Sequence, residues 1–147
     1  MFWGCISGKY GKGEGLFWEK ARKTITKERY CEHTFLVLWN YLYNSNNPHP
    51  GLSFQQDGGA GYNVEYSLEY MKARGVILIF WPPFSPDLFL IEAIWDRMKD
   101  ILQALHPEVH RNSQRLRETV LEAWNTITDG EIKDLIYIMH QRCLDVI

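Results

Sequence analysis

Several patterns that would quickly place a chain in a large protein class are missing here. Cysteine is scarce: Cys5, Cys31 and Cys143 form an odd set with no C-x-x-C pair. That argues against a disulfide framework and fits a reducing, intracellular compartment. The five histidines show no ligand spacing with the cysteines, which argues against a Cys/His zinc site. Positive charge is not in excess. A net charge of −2 removes the whole-chain basic signature of many nucleic-acid binders. Long hydrophobic runs are absent too. The longest, Val76 to Trp81, is six residues and far too short to span a bilayer, so no membrane partner is expected. Met1 to Ser7 lacks the basic and long apolar regions of a secretory signal. There is no internal repeat and no low-complexity tract.

What is present is enough for a core. Of 147 residues, 46% are hydrophobic and 14% aromatic, including six tryptophans. Such a composition excludes a disordered chain, and the length suits one domain or a piece of one. Charge is unevenly spread. Lys9, Lys12, Lys20, Arg22, Lys23, Lys27 and Arg29 face only Glu14, Glu19 and Glu28 over the same stretch. Two readings fit this strip: the solvated edge of a strand and helix start, or a phosphate-contacting surface.

Along the chain, Met1 to Ser7 reads as a strand, a glycine-rich turn follows, and Leu16-Phe17-Trp18 returns as its hairpin partner. Thr26 caps a helix entering at Lys27, marked by Tyr30, Thr34, Val37, Leu38 and Tyr41. Leu52 to Gln56 is a short strand ending at Asp57 and a glycine-rich turn. Val64, Leu68 and Met71 mark a helix closed by Gly75. Val76 to Trp81 is continuously apolar, as expected of a strand covered on both faces. After a proline-rich break, Ile91, Ile94, Trp95, Met98, Leu102 and Leu105 form a helical stripe that Pro107 ends. C-terminal helices are expected from about 113 to 147. Leu116, Val120, Leu121 and Trp124 mark one; a capping box at Thr128 to Glu131 opens another, bearing Ile132, Leu135, Ile136, Met139 and Cys143. A hairpin followed by strand–helix–strand crossovers predicts class α/β, a mixed sheet flanked by helices.

Two acids stand out by position. Asp57 ends a strand, and Glu92 follows the next strand near a helix start. Adjacent parallel strands would bring both to one rim, where ligands gather in open α/β sheets. Carboxylate oxygens suit Mg²⁺, and two such ions about 3.5–4 Å apart can promote phosphodiester cleavage. Plainer readings stand beside this one. Asp before Gly is ordinary turn chemistry, and an acid in a helix's first turn is favoured by the macrodipole.

The residues around these acids resemble those of mariner-type transposases of the Tc/mariner superfamily. Phe54-Gln55-Gln56-Asp57 is similar to the family's F-x-Q-D. Trp81-Pro82-Pro83-Phe84-Ser85-Pro86-Asp87-Leu88, with Ile91-Glu92 and Trp95, is similar to W-P-x-x-S-P-D-L-N-P-I-E-x-x-W. Phe2-Trp3-Gly4-Cys5-Ile6 resembles the W-G-C-x strand. Thirty-four residues lie between Asp57 and Glu92, a spacing this superfamily uses. The resemblance runs over nearly the whole chain. It implies a ribonuclease-H-like fold and a D-D-E metal triad, with Asp57 as the second acid and Glu92 as the third. It also implies Mg²⁺ (or Mn²⁺) as cofactor, cleavage and joining of transposon-end DNA, and a nuclear location. Asp87 belongs to the S-P-D-L loop and not to the triad. Self-association into a homo-oligomer stays open.

The chain also departs from the family. The first triad Asp has no counterpart: the acids before Asp57 are Glu14, Glu19, Glu28 and Glu32, and none ends a suitable strand. The domain is therefore expected to lack its first strand, to be truncated at its N-terminus and catalytically incomplete alone. The unpaired sheet edges left behind predict low solubility. Ala60 and Tyr62 replace the family's usual Pro and His, and Phe89-Leu90 replaces Asn-Pro. Losing the Asn removes a helix cap, at a cost on the order of 1 kcal/mol, unless Asp87 starts the helix earlier. The alternative to a nuclease domain is a non-catalytic DNA- or protein-binding module derived from a transposon.

Overall fold

The computed structural model describes residues 1–18, 26–43, 51–56, 64–79, 88–108 and 113–145. The chain divides into two compact units. One comprises Met1–Cys5 and Leu16–Ser85, the other Ile6–Gly15 and Pro86–Ile147.

In the first unit, β1 (Phe2–Trp3) pairs antiparallel with β4 (Leu16–Phe17), Phe2 opposite Phe17 and Trp3 opposite Leu16. The outer pairing of the hairpin read from the sequence is thus present, but Met1 to Ser7 is not one strand: it divides into β1 and a second short strand at Ile6–Ser7, which pairs with Gly11–Lys12 inside the expected turn. Helix α1 (Lys27–Tyr43) starts where expected, with the Arg29 N–H donating to the Thr26 hydroxyl at 3.4 Å. Helix α2 (Val64–Lys72) ends in a turn closed by Gly75 at φ +78°. The Gly75 N–H donates to the Lys72 carbonyl at 3.0 Å and the Val76 N–H to the Met71 carbonyl at 3.2 Å. This paired arrangement satisfies the last carbonyls of the helix, and only a residue tolerant of positive φ can sit at its centre. Met71 and Val76 are both buried, which supplies the apolar contact that accompanies such an ending.

The core of this unit is Tyr30, Cys31, Phe35, Leu38, Leu42, Met71 and Val76, with Trp3, Leu52, Phe54 and Leu78 packed against it. Small side chains let α1 and α2 approach closely. Cys31, Thr34 and Ser67 are fully buried, and the Cys31 thiol lies 3.7 Å from the Ser67 hydroxyl. Burial pushes that thiol's pKa up. None of Cys5, Cys31 and Cys143 forms a disulfide.

Phe54 makes a parallel bridge to Leu78, through the Phe54 N–H to the Ile77 carbonyl at 2.7 Å and the Ile79 N–H to the Phe54 carbonyl at 2.9 Å. The stretch from Val76 is not covered on both faces. Val76 is buried, but Ile77 is 63% exposed and Ile79 44% exposed. An unbroken apolar run hides this alternation, because side chains switch faces at every residue whatever their polarity.

In the second unit, β2 (Ile6–Ser7) pairs antiparallel with β3 (Gly11–Lys12). Helices α3 (Leu90–Leu105), α4 (Ser113–Thr126), α5 (Asp129–Tyr137) and α6 (Met139–Asp145) follow. The core combines Ile94, Met98, Ile101, Ala123, Trp124, Ile127 and Ile132. Trp95 and Trp124 bring their rings to 5.6 Å, close enough for a favourable aromatic contact.

The apolar stripes are displaced at their ends. Leu105 is 60% exposed and Leu121 is also exposed, while Ile101, Thr119 and Ala123 take core positions not expected of them. The final helical stripe is two helices: α5 stops at Tyr137 and α6 begins at Met139. The capping box is present, with Thr128 and Glu131 bonded reciprocally. In sum the chain is α/β, mostly helical, with small antiparallel sheets. None of the described helices is long and apolar enough to cross a membrane.

Candidate functional site

Glu92 occupies the first turn of α3, half-buried, three residues after the N-cap. Phe89 holds that cap position at φ −94° and ψ 93° and makes no side-chain cap hydrogen bond. The cap that Asn would fill is vacant, as the Phe89-Leu90 pair implied. The Glu92 N–H donates to the Phe89 carbonyl at 2.9 Å. Helix α3 begins at Leu90 and no earlier, and Asp87 lies outside the described residues.

The outer face of α3 carries Asp96 and Lys99, paired at 2.8 Å. Asp96 is the main reason the Lys99 ammonium is held above its ordinary pKa, with a smaller contribution from Glu92. Glu92 therefore shares this face electrostatically. An exposed pair of this kind contributes little stability.

Asp57 lies outside the described residues, as do Ala60, Tyr62 and the loop from Trp81 to Asp87. The approach to Asp57 is described. The strands expected over Leu52–Gln56 and from Val76 reduce, among the described residues, to one isolated parallel bridge between Phe54 and Leu78. Beyond Phe54, the Gln55 amide nitrogen and both amide atoms of Gln56 are buried with no hydrogen-bond partner. Buried amides normally find partners; among the described residues these atoms, like Trp18 Nε1 and Thr34 Oγ1, have none. Asp57 and Glu92 belong to different compact units.

A divalent cation wants several oxygen ligands. Glu92 offers one half-buried carboxylate in its own unit. Among the described residues no group of three or more His, Cys, Asp or Glu comes together. Among the acids upstream, Glu14 lies between β3 and β4, while Glu28 and Glu32 lie on α1. None of these three ends a strand. Glu19 lies outside the described residues.

The basic strip divides. Lys20, Arg22 and Lys23 lie outside the described residues. Lys12 is engaged structurally, donating to the carbonyls of Trp124 at 2.6 Å and Asn125 at 2.8 Å, and to that of Ile127. Lys9 sits 4.9 Å from the Tyr10 ring centroid, and Lys27 is at the same distance from the ring of Tyr66.

One feature was missed in the sequence although its signal was there. Phe35, Trp39 and Tyr43 on α1, and Tyr66, Tyr70 and Arg74 on and after α2, both repeat every four residues. That spacing places each set along one helix side.

No protein-family model matches the chain. It is similar to the Tc3 transposable-element transposase of Caenorhabditis elegans, 31% identical over all of this chain and 43% of the relative. It is similar to the Tcb1 transposase of Caenorhabditis briggsae, 26% identical over the whole chain and 50% of that protein. The Tc1 transposase of Caenorhabditis elegans matches 66% of this chain at 31% identity, over 34% of its own length. The chain thus spans half or less of the curated relatives it matches.

Proposed function

The chain belongs to the Tc1/mariner family of transposases, and from that premise we propose that it carries part of a DDE-type, ribonuclease-H-like catalytic domain. In this reading Asp57 and Glu92 are metal-binding carboxylates, the cation is Mg²⁺ or Mn²⁺, the partner is transposon-end DNA and the site of action is the nucleus.

The observation that best supports it is the parallel bridge between Phe54 and Leu78. It sets the segment leading to Asp57 and the segment leading to the proline-rich loop side by side in one direction, the arrangement whose carboxyl ends gather ligands in open α/β sheets. Glu92 then follows that loop within the first turn of α3. Bound there, a divalent cation would neutralise charge on a phosphodiester oxygen and make water a better nucleophile. Gln56 is suited to hold the Asp57 carboxylate or a water in place through its amide. Trp95, one helical turn after Glu92, anchors the start of α3 against Trp124.

None of the acids in residues 1–56 matches the first triad acid of the resemblance, so in this reading residues 1–147 alone do not complete the metal site. The purified chain is expected to leave supercoiled plasmid intact in Mg²⁺ or Mn²⁺. It should bind Mn²⁺ weakly by electron paramagnetic resonance, and less in Asp57→Ala or Glu92→Gln. Metal-dependent nicking that disappears in Asp57→Ala would show the chain to be a complete nuclease. Mn²⁺ binding unchanged in both variants would remove these acids from the metal site.

A second reading, a non-catalytic DNA- or protein-binding module derived from a transposon, is favoured by the aromatic and basic side chains gathered on α1 and α2. DNA retention that survives both chelation and Glu92→Gln would support it over the first.

A further inference from the structure

The two four-residue ladders of the first unit meet. The Phe35 ring stands edge-on to Tyr70, at 5.2 Å and 86°. Phe35 and Trp39 are 5.5 Å apart, Trp39 and Tyr43 are 4.3 Å apart, and Tyr66 and Tyr70 are 6.4 Å apart. Five rings therefore form one band from the end of α1 across to the start of α2. Phe35 is buried beneath it; Trp39, Tyr66 and Tyr70 are half-buried, and Tyr43 is 43% exposed.

The band is held in place and carries one cation at its middle and one at its α2 end. The Tyr43 hydroxyl donates to the Gly75 carbonyl at 3.3 Å, which fixes that ring against the turn closing α2. The Arg74 guanidinium centre lies 3.5 Å from the Tyr70 ring centroid and 5.4 Å from that of Phe35, with Nη1 donating to the Tyr70 carbonyl at 3.1 Å. Lys27 stands 4.9 Å from the Tyr66 ring centroid at the α2 end. Arg74 is exposed. Stacked on Tyr70, it turns a flat cationic surface outward.

We propose that this band is a stacking shelf for the bases of unpaired nucleotides. Aromatic faces and the guanidinium plane stack any base, and such platforms serve single strands without reading sequence. Lys27, at the Tyr66 end, suits a flanking phosphate, and Arg74, over the central rings Tyr70 and Phe35, suits a base or the phosphate beside it. Glu65 and Glu69 sit beside Tyr66 and Tyr70 on α2, so the band is not a broad positive surface. Its attraction is to ring faces, which a base-paired duplex keeps stacked inside. This inference rests on the reading of DNA as the partner, and it adds which form of DNA this surface holds.

The test compares binding of labelled oligothymidylate and of a duplex of equal length by fluorescence anisotropy. The proteins are the whole chain and its Tyr43→Ala and Arg74→Lys variants, the second of which keeps the charge but loses the plane. Each variant is expected to weaken oligothymidylate binding about tenfold while duplex binding changes less than twofold. The single-strand salt dependence should correspond to about one or two phosphates. Circular-dichroism melting of the variants checks that both remain folded. Single-strand binding unchanged in both folded variants, equal losses on both DNAs, or a steep salt dependence would each overturn the shelf. Duplex binding that persists in those cases leaves the DNA reading standing. A chain that binds neither DNA overturns both.

Discussion

The Lys12 ammonium lies 2.6 Å from the carbonyl oxygen of Trp124, across 112 residues of sequence. The same nitrogen donates to the carbonyls of Asn125 and Ile127 and sits 6.0 Å from the Trp124 ring centroid. These carbonyls belong to the end of α4 and the corner leading to α5, where a helix leaves its last acceptors unsatisfied. Helix α4 has no basic residue in its own last turn, so β3 supplies the cation that suits a helix C-terminus. The Trp124 indole N–H completes the clamp by donating to the Gly13 carbonyl at 3.1 Å.

Replacing Lys12 with Met keeps the stem and removes the donor. The expected loss is about 1.5–3 kcal/mol, the range for a charge-assisted hydrogen bond, read as a lower denaturant midpoint. An unchanged midpoint would show that water serves these carbonyls equally well.

Gly11 carries two constraints at once. Its φ is +75°, and a Cβ there would collide with the Asp129 carboxylate. Gly11→Ala is expected to destabilise the chain by on the order of 1–3 kcal/mol from the backbone alone, with the collision added. Asp129→Gly in the same chain should recover only the collision, so the double variant should melt between Gly11→Ala and the parent. Full recovery would mean that the positive φ costs nothing.

Glu131 gives an acid-side prediction. Its carboxyl pKa is held below the ordinary value, chiefly by the Thr128 backbone N–H, then by the Thr128 hydroxyl and by Arg97. A depressed folded-state pKa contributes stability that is full above the unfolded value, roughly 4.3, and lost as pH falls through the folded one. The melting temperature of Glu131→Gln should therefore fall less steeply than the parent's below about pH 4.3. Parallel curves for the two proteins would refute the assignment.

The vacant cap of α3 can be filled. Phe89→Asn should protect the amides at the start of the helix, slowing their hydrogen exchange about fivefold for a cap of roughly 1 kcal/mol. Exchange slowed equally along the whole helix would indicate a global effect instead, and unaltered exchange would show that Phe89 already holds the turn by packing.

The sequence by itself determined whatever depends on near neighbours. The start of α1 at Thr26, the glycine ending of α2 and the capping box at Thr128 are each set by side chains within a few residues of the backbone groups they satisfy. The family was legible because its residue words around Asp57 and Glu92 are linear. So was the vacant cap at Phe89. Tertiary structure alone decided which apolar residues are inside. Ile77 and Leu105 look like core in one dimension, yet their exposure depends on whether another layer happens to cover them. It alone also joined Lys12 to the end of α4 and brought the rings of α1 and α2 into one band, since partners so distant in sequence leave no local periodicity that names them. The pair Asp57 and Glu92 stands between these cases. The flanking residues carry the resemblance that names the pair, whereas the proposed metal chemistry would need two carboxylates distant in sequence to share a cation, which no linear pattern encodes.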